Sequence, residues 1–102
     1  MTVKPQPRRF QASCLVGNKI YVSGGCHGKY SCLGDLYCLD ISKLVEEEKV
    51  SGLKWELVEC KGETMVERWG HTLDHFDGNL YIWGGRSNED LKDLVSIEIA
   101  TG

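Results

Sequence analysis

No apolar run in the 102-residue chain approaches the roughly 20 residues a helix needs to cross a bilayer. The N-terminal MTVKPQPRR also lacks the apolar centre of a secretory signal. No membrane partner is therefore expected, and the expected compartment is the cytoplasm or nucleus. Charge of one sign is scarce too. The net charge of −3 comes from 12 basic and 15 acidic side chains that intermix without a long block, which argues against a nucleic-acid partner. Only two prolines occur, Pro5 and Pro7, both in the N-terminal lead, where they suit an edge strand or loop poorly placed to pair. No segment carries the long 3.6-residue period of an amphipathic helix. The five cysteines, Cys14, Cys26, Cys32, Cys38 and Cys60, are odd in number and lack an export signal. They read as reduced thiols serving mainly as small apolar residues.

What is present is a repeat. IYVSGG at 20–25 and LYIWGG at 80–85 each run an apolar strand into a glycine pair. Residues 8–25 overlay 68–85 at a shift of 60, placing Arg8 on Arg68 and Gly24-Gly25 on Gly84-Gly85. Gly17-Asn18 then falls on Asp77-Gly78. Both dipeptides suit two-residue hairpins, Gly-first favouring type II′ and Asp-Gly type I′. GDLYCLDIS at 34–42 matches KDLVSIEIA at 92–100 at a shift of 58, so the second loop is two residues shorter. Length variation of that kind marks a surface loop.

The expected order is strand a (11–16), b (19–24), c (35–41) and d (54–60), then a (70–76), b (79–84) and c (93–99). LVEEEK, between the first c and d, reads as a solvated loop or at most one helical turn. Strand b is apolar on both faces in each copy and so should be covered on both sides. The glycines supply positive φ and close backbone approach where that strand surfaces. About four short strands per unit, at a period of tens of residues, indicate propeller blades.

The Arg-to-Gly-Gly segments, the Asp-Leu of strand c and Trp55 opening strand d together resemble the kelch repeat. The resemblance implies an all-β fold, a partial kelch-type β-propeller of about two blades in one domain over 1–102. Repeat one runs from about 8 to 67, and repeat two from about 68 to 102 without its last strand. The first repeat departs from the second in carrying Gln11 where the second has His71. Propellers usually have about four to eight blades. The chain is thus expected to be a piece of a longer protein, or to need further blades or self-association to complete a propeller.

By the resemblance, Gly24, Gly25, Gly84, Gly85, Trp55, Arg68 and His71 are framework, with Trp55 filling the gap to the next blade and Arg68 and His71 tying blades together. Function is expected on the edge formed by the b-to-c loops and the d-to-a link. There His27, Lys29, Tyr30, Arg86, Ser87 and Asn88 offer donors and one aromatic ring suited to a peptide carboxylate or acidic segment. The same charged residues equally serve solubility.

The expected function is a non-catalytic protein-interaction module, as part of a ubiquitin-ligase substrate receptor or a scaffold. No cofactor or metal is expected. One alternative is a metal- or redox-dependent propeller enzyme using Cys26, His27 and Cys32, whose spacing fits no standard zinc motif. A Cys26–Cys32 disulfide is also geometrically open. The other alternative is a structural fragment without a function of its own.

Overall fold

The computed structural model describes residues 4–28, 32–48, 52–59, 61–62 and 66–99. In chain order these form β1 (Ala12–Val16), β2 (Lys19–Ser23), β3 (Leu36–Asp40), α1 (Ser42–Glu47), β4 (Trp55–Leu57), β5 (Lys61–Gly62), β6 (Thr72–Phe76), β7 (Asn79–Trp83) and β8 (Leu94–Glu98). They build two four-stranded antiparallel sheets, ordered β1-β2-β3-β4 and β5-β8-β7-β6. These are two propeller blades. No helix among the described residues is long and apolar enough to cross a membrane.

The hairpin turns follow their dipeptides. Gly17 has φ +58 and Asn18 is not left-handed, as type II′ requires, whereas Asp77 and Gly78 are both positive, at 48° and 83°, as type I′ requires. LVEEEK lies largely within the six-residue α1, whose start is held by the Asp40 carboxylate accepting the Ser42 amide at 2.9 Å. Hydrogen bonds from the Ser42 hydroxyl and amide hold Asp40 below its ordinary pKa.

Register decides which face of each sheet is covered. In the first sheet Ser23 pairs with Ala12 and Leu36, and Tyr21 with Cys14 and Cys38, so these residues share one face. In the second, Ile82 pairs with Leu73 and Val95, and Leu80 with Ile97. Ala12, Tyr21, Leu36 and Cys38 from one sheet and Leu73, Leu80, Ile82, Val95 and Ile97 from the other form the buried core, joined by Ile99. Equivalent strands therefore bury opposite faces: Leu36 is 1% exposed, while Leu94, its counterpart in the repeat, is 60% exposed. That is what stacking two like sheets requires, since the front of one must meet the back of the next.

Two expectations are corrected, and the register fixes the face that Trp55 takes. The second sheet does have a fourth strand, but it comes from upstream: Lys61 and Gly62 pair with Glu98 and Ile97 of β8. The strand-b segments are each covered on one side only, leaving Ile20 and Val22 half-buried and Trp83 52% exposed. Trp55 pairs with Leu39, which places it on the face of the first sheet turned away from the second. There it meets Tyr37 edge to face at 6.5 Å between centroids, because an odd step along β4 separates it from Glu56, the residue on the core side.

Candidate functional site

Each blade carries the same polar bracket. Arg8 donates to both carboxylate oxygens of Asp35 and to the Gly24 carbonyl at 3.1 Å. Arg68 does the same with Asp93, at 2.6 and 2.7 Å, and with the Gly84 carbonyl at 2.9 Å. The bidentate fork fixes the entry to strand a against the exit of strand b and the start of strand c. The Arg68 side chain is fully buried, whereas the Asp93 side chain is 44% exposed. Arg68's hydrogen bonds hold the Asp93 carboxyl below the usual carboxylate range.

The Arg68 side chain thus stays within its own blade, and its backbone crosses to the other. The Gly25 amide donates to the Arg68 carbonyl at 2.8 Å, and the Arg68 amide to the Leu33 carbonyl at 3.2 Å. His71 also spans the gap, its Nε2 lying 2.8 Å from the buried Ser23 hydroxyl, while its buried Nδ1 has no hydrogen-bond partner among the described residues. Burial, and then the Arg68 charge, push His71 below its ordinary 6.5.

The glycine pairs make these approaches feasible. A Cβ on Gly24 would lie 2.6 Å from the Arg68 carbonyl oxygen, and one on Gly85 would lie 2.8 Å from the Trp69 oxygen.

The loops beyond the glycines meet the lead-in segments on one edge, as the meander topology dictates. Arg9 pairs with Cys26, and Trp69 with Arg86. His27 is exposed with Nδ1 2.7 Å from the Pro7 carbonyl, so the Nδ1 proton is donated there and Nε2 is left toward solvent. A shallow recess of about 390 Å³ is lined by Pro7, Arg8, Arg9, Cys26, His27 and Gly28. Arg86 forms an exposed ion pair with Asp90 at 2.7 Å, of a kind that contributes little to stability. Ser87 is half-buried, its amide donating to the Glu89 carbonyl at 3.1 Å, and Asn88 is exposed. Lys29 and Tyr30 lie outside the described residues.

An aromatic pair that sequence reasoning missed sits among these groups. Phe10 is 57% exposed and packs on Trp69 at 5.3 Å between centroids, with the Arg9 guanidinium 5.8 Å from its ring. Phe10 has φ +59, while its repeat counterpart, Gly70, has φ +71. A phenylalanine thus holds a left-handed position that the second repeat gives to glycine, at a cost of roughly 1–2 kcal/mol. Pairing Phe10 with Gly70 at the shift of 60 was the available signal.

The described thiols are Cys14, Cys26, Cys32 and Cys38. Burial raises the pKa of Cys14, Cys32 and Cys38. Among the described residues no three His, Cys, Asp or Glu side chains converge as metal ligands would.

Residues 7–44 match the Kelch motif. The chain is 31% identical over 97 residues to a tRNA wybutosine-synthesizing protein 2/3/4 of Oryza sativa subsp. japonica, covering 95% of this chain and 8% of that protein. It is 30% identical over 84 residues to Kelch domain-containing protein 3 of Bos taurus, covering 82% of this chain and 20% of that one. It is 24% identical over 86 residues to a putative F-box/kelch-repeat protein of Arabidopsis thaliana, covering 84% and 26% respectively. The chain thus spans about a quarter or less of the length of these three relatives.

Proposed function

This chain is a kelch-repeat protein with two stacked propeller blades, and from that premise we propose that it is a non-catalytic recognition module whose loop edge docks an acidic segment of a protein partner. The observation that carries the reading is Phe10. Backbone strain in a non-glycine residue persists only where the surroundings hold it, and it concentrates at functional positions. Here it presents a half-exposed ring beside Trp69 and Arg9, the residue types that dominate protein-binding hot spots. Arg86 bridges to Trp69, and Cys26, the residue before His27, bridges to Arg9, so both loops reach the lead-in segments that carry the ring. They add donors suited to a carboxylate, and Lys29 and Tyr30 extend the same loop in sequence.

At finer grain, we place the module in a ubiquitin-ligase substrate receptor or a scaffold of the cytoplasm or nucleus. The repeat family implies such roles, and the similarity to an F-box/kelch-repeat protein is in keeping with them. Further blades, or a second copy of the chain, would cover the outward sheet faces that expose Leu15, Leu57, Phe76, Trp83 and Leu94.

The test is retention of the chain on an array of peptides graded in Asp and Glu content, with Phe10→Gly as the discriminating variant. Glycine relieves roughly 1–2 kcal/mol of left-handed strain. It forfeits about 0.5–1.5 kcal/mol of ring pairing and about 0.5–1 kcal/mol of backbone entropy. The fold should therefore keep its stability to within about 1 kcal/mol. Wild-type chain should hold acidic peptides in a salt-sensitive manner, and Phe10→Gly and Arg86→Ala should lose them. Equal retention by all three would overturn the reading.

A further inference from the structure

Cys26 and Cys32 face each other across the point where the first blade's loop leaves and rejoins the sheet edge. The Leu33 amide donates to the Gly25 carbonyl at 2.9 Å, one residue outside the cysteines on each side. The pair is therefore of the non-hydrogen-bonded antiparallel type, in which Cα atoms approach to about 4.5 Å and side chains share a face. That separation falls inside the roughly 4.4–6.8 Å span a disulfide accepts. Burial first, and then the neighbouring Cys26, raise the pKa of Cys32.

The second blade marks the same point differently. Arg86 and Asp90 form the equivalent bridge, at the shifts of 60 and 58 that relate the repeats, and their side chains close it as an ion pair at 2.7 Å. The second blade thus fastens its loop with a cross-strand ion pair, and the first blade places two cysteines at the equivalent positions. The remaining described cysteines cannot do this. Cys14 and Cys38 both pair with Tyr21 from opposite sides, so they stand two strand spacings apart, about 9.5 Å.

We propose that Cys26 and Cys32 are a reversible disulfide site that fastens the first blade's loop at the edge, with a small-molecule disulfide such as oxidised glutathione as the oxidant. One cysteine thiolate attacks a sulfur of glutathione disulfide, giving a mixed disulfide and expelling one glutathione thiolate. The second cysteine thiolate attacks the protein-bound sulfur, forming the Cys26–Cys32 bond and expelling the second glutathione. Two protein thiols lose two protons and two electrons, and glutathione disulfide is reduced to two thiols. The ring so closed contains His27 and hangs from Arg9 through its bridge to Cys26, so oxidation restricts part of the edge assigned above to binding. The disulfide chemistry itself does not depend on that assignment.

The test equilibrates the full chain in glutathione buffers from reduced to oxidised, traps remaining thiols by alkylation and maps the peptides by mass spectrometry. Expected is near-complete loss of alkylation at Cys26 and Cys32 through one internal linkage, reversed by reduced glutathione, with Cys14 and Cys38 alkylated throughout. Cys26→Ser and Cys32→Ser should each leave a glutathione adduct on the surviving cysteine. The double variant Cys26→Arg, Cys32→Asp, which installs the second blade's ion pair, should melt as wild type and show no response at this loop. Stable glutathione adducts on both wild-type cysteines, linkages between chains, or an internal linkage elsewhere would each overturn the proposal. Peptide retention unaffected by Phe10→Gly would sink the binding reading and leave the disulfide standing.

Discussion

Replacing Gly24, Gly84 and Gly17 by alanine, one at a time, separates what the glycine pairs do for the backbone from what they do between blades. All three residues are left-handed, with φ +60, +68 and +58. Each alanine therefore carries a conformational cost of about 1–2 kcal/mol, offset in part by a stiffer unfolded chain worth about 0.4–1 kcal/mol. Their surroundings differ. Among the described residues, a methyl at Gly17 meets nothing within 4 Å, and one at Gly84 meets only the Leu91 oxygen, at 3.6 Å. At Gly24 the methyl would lie 2.6 Å from both the Arg68 oxygen and His71 Cε1; the imidazole can swing away only by giving up Ser23, and the backbone oxygen cannot yield without moving the second blade. Such movement costs the Gly25-to-Arg68 hydrogen bond and the Ser23–His71 pair, both 2.8 Å long and each worth about 1 kcal/mol net. Gly17→Ala and Gly84→Ala should thus lose about 1 kcal/mol, and Gly24→Ala about 3–4. That is a large part of the roughly 5–15 kcal/mol available to a domain of this size. Urea unfolding followed by tryptophan fluorescence measures all three. Losses at Gly24 and Gly84 equal to within about 0.5 kcal/mol would mean that the pair serves the turn alone and that the blades do not meet there.

Two further outcomes concern charge. His71 is held below its ordinary 6.5 by burial and then by Arg68, so around and below that pH the unfolded chain binds a proton that the folded one refuses. Stability should be full above 6.5 and fall as the pH drops from there toward the depressed value. His71→Gln, borrowing the residue at the equivalent position of the first repeat, should flatten that slope in urea midpoints taken across the window, and an unchanged slope would refute the assignment. Asp93→Asn leaves the fully buried Arg68 guanidinium with carbonyl partners only. A loss of about 2–3 kcal/mol is expected, below the usual figure for a broken buried pair because Asp93 is 44% exposed. In the parent chain the depressed Asp93 pKa makes this contribution present above the ordinary value of 3.8 and lost as the pH falls through the lowered one, which an acid titration of the melting temperature would read.

Strand positions and turn types were legible because their determinants are local: period two for the strands, and a left-handed residue at a fixed place in each hairpin. The fourth strand of the second sheet was not, since the two residues Lys61 and Gly62 have no period to detect. The face that Trp55 takes was not legible for a related reason. Alternation shows that a strand has two faces, and only the neighbouring sheet decides which is covered. The edge grouping of loops was legible from the meander, yet its aromatic centre was not, because Phe10 and Trp69 lie in lead-in segments that alternate with nothing. Ser23 and His71 were harder still, being 48 residues apart in sequence, with no second instance of the pair in the repeat.

That missing second instance has a physical consequence. At the shift of 60, Ser23 corresponds to Trp83 and His71 to Gln11, so the two outward faces do not copy the contact made between the blades. Between the blades a serine with no exposure leaves room for an imidazole ring and accepts or donates one hydrogen bond to it. On the outward face of the second sheet the same position projects an indole that is 52% exposed, and the outward face of the first offers a flexible amide. Stacking a further sheet on either face in the observed register requires a partner shaped for that residue, a small side chain opposite Trp83 or an acceptor and donor opposite Gln11. The repeated backbone makes every blade stackable on every other, since hairpins and glycine pairs recur. The residue at this one position discriminates among the stackings: a small hydroxyl opposite a ring is compatible with the distance seen here, and an indole opposite an amide is not without a wider gap.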